Sequence, residues 1–230
     1  MCSIFAILGV SGDPAALREQ ALARSKTMRH RGPDWSGLWA GGSAILAHER
    51  LAIVDPASGG QPLLGPGGTV LAVNGEIYGH RRVREAHAAY PWRTQSDCEV
   101  ILALYRAKGA DFVHELDGIF AFVLYDEPND RYVIARDPIG VIPLYTGRDA
   151  EGRLHVASEM KALLDDCVSI EEFPPGHVLD SEVGAPRAYY RPTWREFEEV
   201  DGGHVNRERV RGALEDATVR IGRGIVGHQE

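Results

Sequence analysis

A chain of 230 residues, 44% of them hydrophobic, is long enough for one well-buried domain with at most a short appendage. Its 33 acidic against 25 basic residues leave a net charge of −8, which disfavours nucleic acid or an anionic membrane as the main partner. Three widely spaced cysteines, Cys2, Cys98 and Cys167, form no CxxC pair, which argues against a disulfide framework or a zinc site and for the reducing cytoplasm.

The apolar start MCSIFAILGV has no basic segment before it and ends at Ser11, Gly12 and Asp13, so it does not read as a signal peptide. No stretch approaches the roughly 20 apolar residues of a membrane helix. Residues 3–8 read as a buried strand beginning directly after Cys2. Asp13 followed by Pro14 starts a helix of about four turns, with Leu17, Ala21 and Met28 on one face. Strand-like runs follow at 43–48, 51–54 and 69–73, separated by Gly/Pro-rich connections. Ser96 and Glu99 read as a capping box for a helix filled by 100–104 and closed by Gly109, which puts Asp97 on its first turn. Residues 119–125 and 132–135 make a hairpin, and 141–145 and 154–157 add strands. Residues 158–164 suggest a short helix. An acidic, Gly-containing stretch over 196–203 reads as a linker, and a last helix begins at Asn206 with Val210, Ala213, Leu214 and Ala217 on one face. Clustered strands with few helices between them favour an α+β domain of stacked antiparallel sheets over alternating βαβ units.

Cys2 is the most informative residue. A residue this small at position 2 permits removal of Met1, after which thiol and α-amine share one residue. The amine titrates near ~7.7 to 8.0, so it can take the thiol proton directly or through water. The plainer alternative is a cysteine that merely starts a strand. Arg50 could hold a carboxylate through two parallel hydrogen bonds, or be a surface charge. Asn74 and Gly75 could be a simple turn, or could supply a side-chain amide and an unhindered backbone N–H to an oxyanion. Asp97 and Glu76 could face an ammonium group, although an acid at Asp97 also suits the helix dipole. Nine histidines lack the i, i+4 spacing of a helical metal pair, so no metal site is expected. Cys98 reads as buried, and Gly222, Gly224 and Gly227 match GxGxxG by accident, with only three residues after them. The pairs Tyr189 with Tyr190 and Trp92 with Arg93 read as surface or rim packing.

Read together, CSIF, RHRGPD, AHERLAIVDP, LAVNGEIY, TQSDCEVI, DGIFAF, ARDPIGVIPLY, ASEMKAL and FPPG resemble the glutaminase domain of glutamine-hydrolysing asparagine synthetases. The resemblance runs from residue 2 to about 192 and continues weakly to about 219. It implies the N-terminal-nucleophile hydrolase fold, a four-layer αββα sandwich of two antiparallel sheets. It further implies a glutaminase domain over 1–192, with 193–230 as linker and the start of a truncated or absent synthetase domain. On this resemblance Cys2 is the nucleophile, Asn74 and Gly75 the oxyanion donors, and Arg50 the partner of the glutamine α-carboxylate. Leu51, Ile53 and Val54 line the same pocket, while Asp97 and, less directly, Glu76 meet the α-ammonium group.

The implied partners are glutamine and a synthetase domain or subunit acting in trans, with a homodimer left open and neither nucleic acid nor membrane expected. ATP and Mg would belong to the synthetase domain, leaving this chain without a cofactor. Ala6 stands where many relatives have Gly, and Gly79 where the NGEIYNH form of the motif has a second Asn; the second change could loosen the turn after the oxyanion donors. Two rival readings stay open: a glutaminase of another amidotransferase branch, and a non-catalytic remnant that binds glutamine or a partner.

Overall fold

Along Ser3–Leu8 (β1) every residue is buried, because the strand has neighbours on both edges and a packed layer on both faces. The computed structural model describes residues 1–192, 194 and 206–226. In the first sheet β1 lies between β3 (Ala44–Arg50) and β9 (Leu154–Ala157), and β2 (Trp35–Gly41), β8 (Tyr145–Asp149) and β10 (Cys167–Glu172) complete the order β10-β8-β9-β1-β3-β2. The second sheet comprises β4 (Leu63–Leu64), β5 (Thr69–Ile77), β6 (Gly118–Asp126), β7 (Arg131–Arg136), β11 (His177–Asp180) and β12 (Pro186–Ala188), in the order β12-β11-β7-β6-β5-β4. All pairings are antiparallel.

The period of two along each strand divides the apolar residues between layers. Ile4, Ala6 and Leu8 of β1 meet Val70 and Ala72 of β5 and Ala121 and Val123 of β6 in the core between the sheets. Phe5 and Ile7 point the other way, onto Ala21 of the helix α1 (Arg18–Lys26) and onto Met28. Leu71 and Val73 of β5 and Phe120 and Phe122 of β6 pack on the helix α3 (Val100–Lys108), whose residues 100–105 are all buried. The layers are therefore helix, sheet, sheet, helix, as expected. A short helix α2 (His80–Ala86) and a terminal helix α4 (Arg207–Val226) complete the described elements.

Asp13 caps the entry to α1 by accepting the Ala15 N–H at 2.9 Å, but the first turn, Pro14–Leu17, is 3-10 rather than α. The capping box is only half formed. Ser96 accepts from the Cys98 N–H at 3.3 Å, whereas the Glu99 carboxylate turns to the N–H groups of Arg93 and Thr94 at 2.8 and 2.9 Å. A 3-10 turn, Asp97–Glu99, precedes α3, and Gly109 with φ 63° ends it. Residues 51–54 and 141–144 are loop, not strand, and 158–164 holds only a 3-10 turn at Met160–Ala162. The sequence pattern also misses α2, β2, β4, β10, β11 and β12. Of these, β2 and β10 are nowhere fully buried and so carry no apolar run. The expected linker over 196–203 lies outside the described residues, as does Gly227; Gly222 and Gly224 fall inside α4. Among the described residues no helix is long and apolar enough to cross a membrane.

Candidate active site

Ser3 pairs with Glu49, so Cys2 and Arg50 leave the first sheet at the same end. There the second sheet brings up Asn74, Gly75 and Glu76 on β5. Between them lies a cleft of about 600 Å³, mouth included, a size suited to a small ligand. All nine residues singled out from the sequence line it: Cys2, Arg50, Leu51, Ile53, Val54, Asn74, Gly75, Glu76 and Asp97.

The Cys2 Sγ accepts the Leu51 N–H at 3.3 Å and lies 3.5 Å from the Leu51 carbonyl. Burial pushes the thiol up in pKa, opposed by the Leu51 N–H, the positive chain terminus and Arg50. In water-poor surroundings the thiol keeps its proton, so a thiolate would form here only with a base to take that proton. The Cys2 carbonyl is held by Arg31 Nε at 3.1 Å, and Arg31 is in turn paired with Glu159 at 3.0 Å.

Asn74 is 2% exposed, and its Nδ2 is buried without a hydrogen-bond partner. A buried amide donor left unpaired carries a desolvation penalty of about 1–3 kcal/mol, which a ligand oxygen would remove. Next to it, a Cβ on Gly75 would sit 2.2 Å from the Ile119 carbonyl and 2.6 Å from Phe120 Cα. Only bare backbone fits against β6 there, so glycine is fixed by close approach.

Arg50 is nearly buried. Its guanidinium donates to the carbonyls of Val54 at 3.1 Å, Asp55 at 2.5 Å and Pro56 at 3.3 Å, which curls the loop after β3 around it. Leu51 therefore acts through its main chain, Val54 through its carbonyl, and Ile53 stands exposed at the cleft mouth. Asp97 is buried and accepts the Ile77 N–H at 2.7 Å. Burial pushes its carboxyl up in pKa against that hydrogen bond, and pushes Glu76 up as well, with Asp97 as the second cause. Arg50 and two carboxyls thus give the cleft one cationic and one anionic wall, the arrangement that binds a zwitterion.

The sequence did not point to Gly59, Gln61, Ser96, Cys98, Ile119 or Ile142 as cleft residues, nor to Arg31 as the holder of Cys2. Arg31 stands in the RHRGPD motif, which was its one available signal. Cys98 is buried as expected, and burial and Asp97 hold its thiol well above the usual range. Ala6 sits in the core between the sheets, and Gly79 precedes α2 with φ −84°; neither is among the residues lining the cleft. Among the described residues no group of three or more His, Cys, Asp or Glu could hold a metal ion.

Residues 1–205 match the family model described as a glutamine amidotransferase domain. The chain is 52% identical over 219 residues to asparagine synthetase B [glutamine-hydrolyzing] of Escherichia coli (strain K12), covering 94% of this chain and 40% of that protein. It is 48% identical over 222 residues to asparagine synthetase [glutamine-hydrolyzing] of Sandersonia aurantiaca, covering 96% and 42%. The chain thus spans about two fifths of the length of these curated relatives. Among solved structures, glutamine phosphoribosylpyrophosphate amidotransferase from B. subtilis matches with a TM-score of 0.67 at 21% identity, over 83% of this chain and 50% of that one. A likeness at that identity speaks for the fold.

Proposed function

The chain belongs to the glutamine amidotransferase domain family, and on that premise we propose that it hydrolyses glutamine to glutamate and ammonia as the glutaminase part of an asparagine synthetase. The observation that carries the reading is the unpaired, buried Nδ2 of Asn74 in the same cleft as the Cys2 thiol. In this reading Met1 is removed, and the freed α-amine of Cys2 takes the thiol proton. Sulfur attacks the side-chain amide carbon of glutamine, and the oxyanion is met by Asn74 Nδ2 and the Gly75 N–H. The same amine returns its proton to the leaving ammonia, and water hydrolyses the thioester. Arg50 binds the α-carboxylate, and Asp97 with Glu76 the α-ammonium group.

The ammonia acceptor, with ATP and Mg, is assigned to a synthetase domain or subunit that these 230 residues do not contain. Ammonia release from glutamine, recorded with the intact mass of the protein, tests the reading. Release is expected from the chain lacking Met1 and lost in Cys2→Ala; release that persists in Cys2→Ala would sink it.

A further inference from the structure

The oxyanion candidates sit where β5 lacks a strand on one edge. On its other edge β6 pairs along the whole of β5, with Asn74 opposite Ala121 and Gly75 opposite Phe120. On this edge β4 contributes only Leu63 opposite Leu71 and Leu64 opposite Val70. The next β5 residue with backbone groups on that side is Val73, one residue before Asn74. Its partner is a side chain: the Val73 N–H donates to Gln61 Oε1 at 2.8 Å, and Gln61 Nε2 donates to the Val73 carbonyl at 3.0 Å. A primary amide offers one acceptor and one donor side by side, so it reproduces the paired bonds of an antiparallel neighbour.

Gln61 is itself fixed. It is 8% exposed, and its backbone carbonyl presses so closely on β2 that a Cβ on Gly37 would meet it at 1.8 Å. His48 of β3 adds a second tie, with Nε2 3.0 Å from the same Val73 carbonyl. The ring is fully buried and its pKa is pushed down to about 3, so at neutral pH the uncharged ring donates through Nε2. Both backbone groups of Val73 are thereby immobilised from outside the sheet, directly behind Asn74.

We propose that Gln61 is a positioning residue for the oxyanion hole: its amide completes the edge of β5 at Val73 and so sets where Asn74 Nδ2 points. This rests on the reading of Asn74 as an oxyanion donor. The shape of Gln61 is kept by Gln61→Glu, whose ionised carboxylate cannot donate to the Val73 carbonyl, and by Gln61→Met, which can neither donate nor accept.

Two measurements decide it. In ammonia release, Gln61→Glu is expected to lower kcat by about tenfold to a hundredfold with the KM for glutamine within about twofold, as a misplaced donor does. In an Asn74→Ala background the further loss should shrink to under about twofold, because Gln61 acts through Asn74. A loss that multiplies in full in that background, or an effect confined to KM, overturns the proposal. Independently of activity, hydrogen exchange at the Val73 amide should be about tenfold faster or more in Gln61→Met, with Ile134 on β7 at its parent rate. An unchanged Val73 rate overturns the proposal even in an active enzyme. A parent chain without the Met1 residue that releases no ammonia defeats the proposed function instead, and the exchange result still decides whether Gln61 fixes this edge.

Discussion

A buried thiol is a weak nucleophile at neutral pH, and burial is the largest influence on Cys2. The rate should therefore follow the base rather than the thiol: kcat/KM for glutamine should rise with pH through ~7.7 to 8.0, where the α-amine loses its proton, and level off above it. A profile flat from pH 6 to 9 would remove the amine from the mechanism. A chain that keeps Met1 has an amide nitrogen in place of that amine and should be inactive, which activity read against intact mass will show. Asn74→Ala should lower kcat by about 10²-fold to 10³-fold, the usual effect of losing one oxyanion donor, with little change in KM. That Cys2, Asn74 and Asp97 share one cleft was legible because each stands in a motif. Arg31 and Gln61 were less so, because each acts on a backbone atom, 29 and 12 residues away, that only the folded sheets bring near.

At the level of elements, the segment after β3 shows why an apolar pattern misled. Residues 51–54 have strand composition, yet three carbonyls from 54–56 turn inward to Arg50, and no neighbouring strand offers an edge. The cation organises a loop where hydrophobicity alone suggests a strand. Gly79 is a different case. Its place beside the oxyanion motif suggests impaired turnover, but it opens α2 at a negative φ without a side-chain cap, and a Cβ there meets nothing closer than 3.7 Å. Gly79→Asn is accordingly expected to leave kcat within about twofold and to raise stability by about 0.5 kcal/mol, through a cap and a less flexible unfolded chain. Thermal unfolding beside an ammonia assay checks both; a tenfold rise in kcat would restore a direct role for the missing Asn. Gly37→Ala should do the reverse, destabilising by about 1–3 kcal/mol because the methyl has to displace the Gln61 backbone.

For the molecule as a whole, carboxyl groups divide by location. Outside the cleft Glu159 is held at about 2: burial alone would raise it, but hydrogen bonds from Lys161 and Arg31 and the charges of Lys161 and His30 outweigh that. Asp149 and Asp166, against Arg153 and Arg24, are lowered in the same way despite burial. A carboxyl depressed in the fold stabilises it above the unfolded pKa of roughly 4, and that stability is lost as pH falls toward the folded value. Inside the cleft Asp97 and Glu76 are raised instead, because burial there outweighs the backbone hydrogen bonds to Asp97 and the positive chain terminus near Glu76. These groups take up protons first on acidification. Glutamine affinity is thus expected to fall at a higher pH than the one at which the fold begins to unfold, a gap visible when binding and unfolding are titrated on the same protein. Asp97→Asn should remove much of the pH dependence of binding while weakening it throughout, and should leave the unliganded fold at neutral pH as stable as the parent or more so, since a buried charge is gone. If affinity and fold are lost together, the raised carboxyls are not the ammonium site, and the electrostatic division between cleft and scaffold has no functional meaning.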